Sequence, residues 1–368
     1  MRQRRVLRGL AILLGLALVA AACGDDDDTS SDTTEGDGGG AATDFTACQV
    51  TDTGGVDDRS FNQTAYKGVQ DAAEELGFEP AVLESQTEAD YAPNIQSFID
   101  QGCDLIVTVG FLLGGATADA ATANPDQNFA IVDYDFSVDA GDPADEFPNI
   151  KELTFSTDQA AFLAGYVAAG MSESGTVGTY GGINIPTVTI FMKGFQLGIE
   201  KYNEDNGTDV QLEGWDNAAN DGLFTGDFED QSKGRATTEG LLDDGADIIM
   251  PVAGPVGLGT IEAIRARPDS NAKVVWVDTD GCVSVPDDCE LFLTSVMKNM
   301  DVAVHDVTVE AADGNFEGGL YTGTLENEGV ALGPFNEFDD QVPDELKTAV
   351  DDLRQQIIDG DVTTFPEG

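Results

Sequence analysis

Basic residues are scarce in this chain: 17 Lys and Arg stand against 69 Asp and Glu, a formal net charge of −52. Binding to nucleic acid depends on neutralising phosphates with cationic side chains, so that class of partner is excluded. The same field disfavours a strongly anionic solute at long range, although local donors can override it. The blander service of such a surface is solubility in a salty habitat. Histidine is nearly absent. The single one, His305, falls on a predicted helix and reads as a surface or boundary residue. The five cysteines include no CxxC pair and no Cys/His cluster with metal-site spacing, so neither a metal nor a cofactor is expected. Long hydrophobic runs are also missing beyond the amino terminus, and no second segment is long enough to cross a bilayer.

The amino terminus carries Arg2, Arg4, Arg5 and Arg8, then the apolar run Leu10–Ala22, with Ala20, Ala21 and Ala22 before Cys23. This is the pattern of a bacterial export signal over 1–22 ending at a candidate lipidation cysteine, Cys23. The run falls short of the roughly 20 residues that a membrane span requires. Ordinary signal cleavage at the same alanines is the alternative. Residues 23–45 are mostly Gly, Asp, Ser, Thr and Ala without periodicity, and Asp25–Asp28 add repulsion. Such a segment buries too little apolar surface to fold and reads as an acidic tether. The expected location is the extracytoplasmic face of the cell membrane, held by a lipid anchor.

Beyond the tether the pattern alternates strand and helix. Near-continuous apolar runs such as LIVTV (Leu105–Val109), IIMPVA (Ile248–Ala253) and VVWV (Val274–Val277) fit strands buried on both faces. Alternation of this kind predicts doubly wound, mostly parallel α/β sheets. The number of strand candidates strains a single sheet, so two lobes with a cleft between them are expected. The division places 46–155 plus 284–320 in an N-terminal lobe and 156–283 plus 321–368 in a C-terminal lobe. Cys282 and Cys289 flank the short loop GCVSVPDDC, and a disulfide closing it fits an oxidising compartment. Cys48 and Cys103 each open a predicted strand near one sheet edge and are candidates for a second bridge.

The richest segment is TDTGGVDDRSFNQ (Thr51–Gln63), set between an apolar run and a helix. Gly54 and Gly55 permit a tight turn, and Ser60 followed by Gln63 has capping-box spacing, which predicts a helix from Phe61. Asp52, Asp57, Asp58, Phe61 and Asn62 then sit at the carboxyl end of a strand, where open parallel sheets bind ligands. The set holds an aromatic face, carboxylates and an amide, without a nucleophile–base pair. Asp133, Gly181, Gly254 and Asp278 also fall where apolar strand runs end. Any single one of these reads equally well as a turn residue. Asp135 is an alternative to Asp133.

Several separated segments resemble, in order, the basic membrane lipoprotein family, the purine nucleoside receptor type of solute-binding lipoprotein. The first is DTGGVDDRSFNQ; the others are GTVGTYGGINIPTVTIFMKGFQLG (Gly175–Gly198), TGDFEDQSKGRA (Thr225–Ala236), GADIIMPVAGPVGLG (Gly245–Gly259) and VVWVDTDG with LTSVMKNMDVAV. The resemblance extends from about Cys48 to Val330. It implies a two-lobe periplasmic-binding-protein type I fold and a monomeric receptor that delivers a nucleoside to an ABC permease. It further implies a purine stacked between Phe61 and Phe228, with its edge bonded by Asp52, Asn62 and either Asp133 or Asp135. Asp278 and Lys298 would hold the ribose, and Gly254 would let the backbone approach. Asp227 stands where the family has Ser, Asp280-Gly281-Cys282 where a Gln is common, and Trp215–Thr225 is lengthened.

Two other readings are weighed against this one. A sugar or another small polar solute would also suit a two-lobe receptor with stacking aromatics. DTGGVDD superficially resembles the Asp-rich calcium loop of nucleoside hydrolases, in which a metal activates water. Gly54 occupies a position where those enzymes carry another Asp, and SFNQ belongs to the receptor pattern. A binding protein and not an enzyme is therefore expected.

Overall fold

A computed structural model describes residues 45–136 and 147–365. The signal segment 1–22, the candidate lipidation site Cys23 and the tether up to residue 44 lie outside the described residues.

Two six-stranded sheets carry the fold. The first is built from β1 (Ala47–Thr51), α1 (Phe61–Leu76), β2 (Ala81–Leu83), α2 (Tyr91–Gln101), β3 (Leu105–Val109), α3 (Gly114–Ala123), β4 (Asn128–Val132) and β5 (Ile150–Phe155). The chain crosses to the second through α4 (Thr157–Met171), then runs β6 (Thr176–Gly181), α5 (Pro186–Asn206) and β7 (Gln211–Glu213). A small hairpin, β8 (Trp215–Asp216) and β9 (Asp221–Gly222), occupies the lengthened region. It is followed by α6 (Gln231–Asp243), β10 (Ile248–Val252), α7 (Leu258–Ala266), β11 (Lys273–Asp278), the short α8 (Gly281–Ser284) and β12 (Phe292–Lys298). Helix α9 (Met300–Ala312) returns to pack on α1, and β13 (Gly319–Gly323) joins the first sheet. The chain closes in the second lobe with β14 (Val330–Leu332) and α10 (Asp344–Ile358), which packs on α4.

The strand orders correspond: β13-β5-β4-β3-β1-β2 in one sheet and β14-β12-β11-β10-β6-β7 in the other. All neighbours are parallel except β12 and β14. The interior strands β3 and β10 are buried along their whole length, as covering a parallel sheet on both faces demands. Helices α1, α2 and α5 each stop at a glycine in the left-handed conformation, Gly77, Gly102 and Gly207. Disulfides join Cys48 to Cys103 and Cys282 to Cys289. Among the described residues no helix is long and apolar enough to cross a membrane.

The lobe division read from the sequence needs correction at its second and third crossings. Residues 292–298, placed with the first lobe, form β12 of the second sheet, hydrogen-bonded to β11 on one side and β14 on the other. The crossing comes after Lys298 instead of near residue 284. Its cause is burial: FLTSV is covered on both faces, which an interior strand between β11 and β14 provides. Residues 321–323, placed with the second lobe, complete β13 beside β5 of the first sheet.

Candidate functional site

The carboxyl ends of strands from both sheets converge on one cavity between the lobes. The first lobe contributes Asp52 after β1, Gly110 after β3 and Asp133 after β4; the second contributes Val252–Gly254 at β10, Asp278 at β11 and Lys298 at β12.

The loop after β1 is organised by a carboxylate. Asp58 Oδ1 accepts from the backbone N–H of Ser60 (3.0 Å) and Gln63 (3.0 Å), and Oδ2 accepts from that of Asn62 (2.7 Å). Asp58 therefore satisfies the free donors at the start of α1, a role the Ser60/Gln63 spacing assigned to Ser60. Ser60 makes no side-chain cap; its hydroxyl donates to Asp278 Oδ2 at 2.5 Å. Helix α1 thereby starts at Phe61, whose ring lines the cavity, and Asn62 turns inward to donate from Nδ2 to Asp52 Oδ1 at 2.9 Å. Asn62 Oδ1 is buried without a partner among the described residues. Gly110 makes room for Asp52: with φ 115°, a Cβ there would lie 2.3 Å from Asp52 Oδ2.

Asp133 and Asp278 occupy corresponding strand ends in the two sheets, and both adopt a left-handed backbone, with φ of 67° and 69°. This region is uncommon for residues other than glycine, although Asp is among those that tolerate it. Lys298, 2% exposed, forms an ion pair with Asp133. Its ammonium also lies 4.9 Å from the centre of the Phe61 ring and 5.4 Å from that of Phe155. Burial pushes the carboxyl of Asp52 up to about 8, with the Asn62 hydrogen bond opposing it. Burial raises Asp58 to about 7 despite its backbone donors. Asp133 and Asp278 are raised by burial as well, while Lys298 pulls both down.

On the second lobe, Phe228 reaches the cavity from the turn before α6, and its ring fills the space beside Gly182, where a Cβ would stand 2.3 Å from Phe228 Cε1. Gly254 has φ 53° and no atom within 4 Å of a would-be Cβ, so its backbone is open to the cavity.

Asp52, Phe61, Asn62, Asp133, Phe228, Gly254, Asp278 and Lys298 are thus brought together. Asp135 is not among the lining groups; it borders a neighbouring recess that shares Asp133 and Lys298. Sequence reasoning missed Gly110, Phe111 and Phe191, which also line the cavity. Gly110 and Phe111 follow the run LIVTV and were open to the same strand-end argument. Phe191 lies inside α5, where its spacing is that of any core position. His305 is remote from the cleft, facing Glu75 (2.9 Å) and Asp306 (3.1 Å) on the α1–α9 surface.

The family model for PnrA-like ABC transporter substrate-binding proteins, Bmp, matches residues 45–363. The ABC transporter nucleoside-binding protein BmpA of Lactococcus lactis subsp. cremoris is 33% identical, over 87% of this chain and 89% of that protein. The CD4+ T-cell-stimulating antigen of Listeria monocytogenes is 31% identical over 98% of each chain. Among solved structures, a solute-binding protein of an ABC transporter system from Aeropyrum pernix K1 superposes with a TM-score of 0.77 at 25% identity, covering 87% of this chain and 92% of that one. The two mostly parallel sheets and this likeness fix the fold as periplasmic-binding-protein type I. The chain belongs to the Bmp family of PnrA-like ABC transporter substrate-binding proteins.

Proposed function

We propose that this protein is a lipid-anchored, extracytoplasmic receptor that captures purine nucleosides in the interlobe cavity and presents them to an ABC permease. One observation carries the reading: Phe61 and Phe228 reach a single cavity from opposite lobes, together with Asp52, Asn62, Asp278 and Lys298. A purine offers two broad faces and an edge of donors and acceptors. Stacking on aromatic rings is worth roughly 1–3 kcal/mol per base in nucleic-acid systems. Carboxylates accept from N–H and ribose O–H groups in the stronger, charge-assisted class of hydrogen bond.

In this reading Asp52, Asn62 and Asp133 address the base edge. Asp278 and Lys298 hold the ribose, and Gly254 lets the backbone come close. The free Oδ1 of Asn62 calls for a donor on the ligand. Asp135, in the adjoining recess, is left out of this set. A neutral nucleoside suits the cavity better than a nucleotide, because Lys298, the cation among the lining residues, is already paired with Asp133. The protein acts as a monomer, with Cys23 carrying the lipid. The calcium-loop alternative is disfavoured by the uses of its carboxylates, since Asp58 is occupied by backbone donors and Asp52 by Asn62. Isothermal titration of the full chain with inosine and with inosine 5′-monophosphate tests the proposal. Micromolar or tighter binding of inosine alone is expected. Failure of every nucleoside, with binding of a sugar, would replace the purine site by a sugar site.

A further inference from the structure

We infer that Ser60 is a positioning residue for the cleft: with Trp276 it forms a clasp that ties the first lobe to the second and holds Asp278 in its ligand-facing orientation. The inference rests on the receptor reading of the cavity.

The clasp is built by the turn 58–60. By taking the N–H groups of Ser60, Asn62 and Gln63, the Asp58 carboxylate frees the Ser60 hydroxyl from helix capping. Arg59 adopts a left-handed backbone, φ 61°, uncommon for a residue with a long side chain. That turn directs two groups of the first lobe at the end of β11 in the second. Ser60 Oγ donates to Asp278 Oδ2 at 2.5 Å and lies 3.4 Å from the carbonyl oxygen of Val277. The Arg59 carbonyl oxygen accepts from Trp276 Nε1 at 3.3 Å. Ser60 and Trp276 are 0% and 1% exposed, so these polar contacts are made away from water. Asp278 is itself in a left-handed conformation, and Ser60 is the side-chain donor to its carboxylate among the described residues. Neither Ser60 nor Trp276 lines the cavity. Their effect on a ligand therefore passes through Asp278 and through the contact between lobes.

Trp276 also supplies the readout. It is one of two tryptophans, and replacing the other, Trp215→Phe, leaves the indole of the clasp as the sole tryptophan, read by red-edge excitation that the seven tyrosines do not absorb. In that background of the full chain, ligand-free, Ser60→Ala is expected to raise acrylamide quenching and shift emission to the red. Its Kd for inosine should rise about tenfold, the scale of one hydrogen bond to a charged group. Ser60→Thr, which keeps the hydroxyl, should recover part of both effects. Unchanged quenching overturns the clasp, and so does an unchanged Kd. Weakened inosine binding with unchanged quenching overturns it too, because Ser60 would then touch the ligand directly. Should Ser60→Ala not fold, Trp276→Phe removes the other half of the contact, and an inosine affinity equal to wild type would overturn the inference. If inosine binds no form, the nucleoside reading fails, while the quenching comparison still decides the clasp.

Discussion

Asp52 is a carboxyl group 7% exposed, held by one amide and facing the like charges of Asp58 and Asp133. Burial raises its pKa from 3.8 to about 8. Between those values the folded protein keeps a proton that the unfolded chain releases. The associated stability is fully present below about pH 4 and is lost as pH rises through about 8, with a slope of at most about 1.4 kcal/mol per pH unit for one group. Asp58, raised to about 7, acts in the same direction. The melting temperature of the ligand-free chain should therefore fall between about pH 5 and pH 8.5, and Asp52→Asn should flatten part of that fall. A melting temperature that climbs over this range would show the buried carboxyls to be ionised and stabilised. For the ligand, Phe61→Ala and Asp278→Ala should each weaken nucleoside binding by more than about tenfold in titration calorimetry, with little change in melting temperature. These residues were legible because each closes an apolar strand run or opens a helix. Ser60 was misread because a hydroxyl three residues before Gln63 signals a cap, and nothing local reveals that Asp58 takes the same donors.

At the scale of elements, α4 and α5 meet almost backbone to backbone. A Cβ at Gly198 would lie 1.9 Å from the Phe162 carbonyl oxygen, and one at Gly165 would lie 2.1 Å from that of Phe195. The opposing atoms are main-chain, so no rotamer change relieves the clash. Gly198→Ala should cost roughly 1–3 kcal/mol, the usual scale of overpacking, and lower the melting temperature. A neutral outcome would mean that the two helices are free to separate. The start of α1 at Phe61 was legible, and the glycines that close the helices, Gly77 after α1 and Gly207 after α5, stand in the sequence as ordinary stop signals. The sheet membership of β12 was not. An apolar strand run states that it is buried but not between which neighbours, and here the neighbours are separated by a chain crossing at Lys298. The hairpin of β8 and β9 was likewise visible only as added length.

Across the whole molecule, charge is the dominant feature. With −52 formal charges, self-repulsion opposes the compact state and is screened by salt. Melting temperature should rise as sodium chloride goes from about 0.05 M to about 1 M, where the Debye length falls to roughly 3 Å. An unchanged or falling value would assign the acidic surface no energetic role in folding. The two-lobe plan was readable from alternation alone, while the nature of the ligand needed the resemblance, since a strand-end carboxylate has no signature separating nucleoside from sugar. The most direct measurement is a thermal-shift screen of the full chain against nucleosides, free bases, sugars and amino acids. A ligand that binds only the folded state adds about 2.7 kcal/mol at one hundred times its dissociation constant, which such a screen resolves. A shift confined to purine nucleosides is the expected result. Silence from every nucleoside, with a shift from a sugar or another solute, would contradict the stacked-purine site.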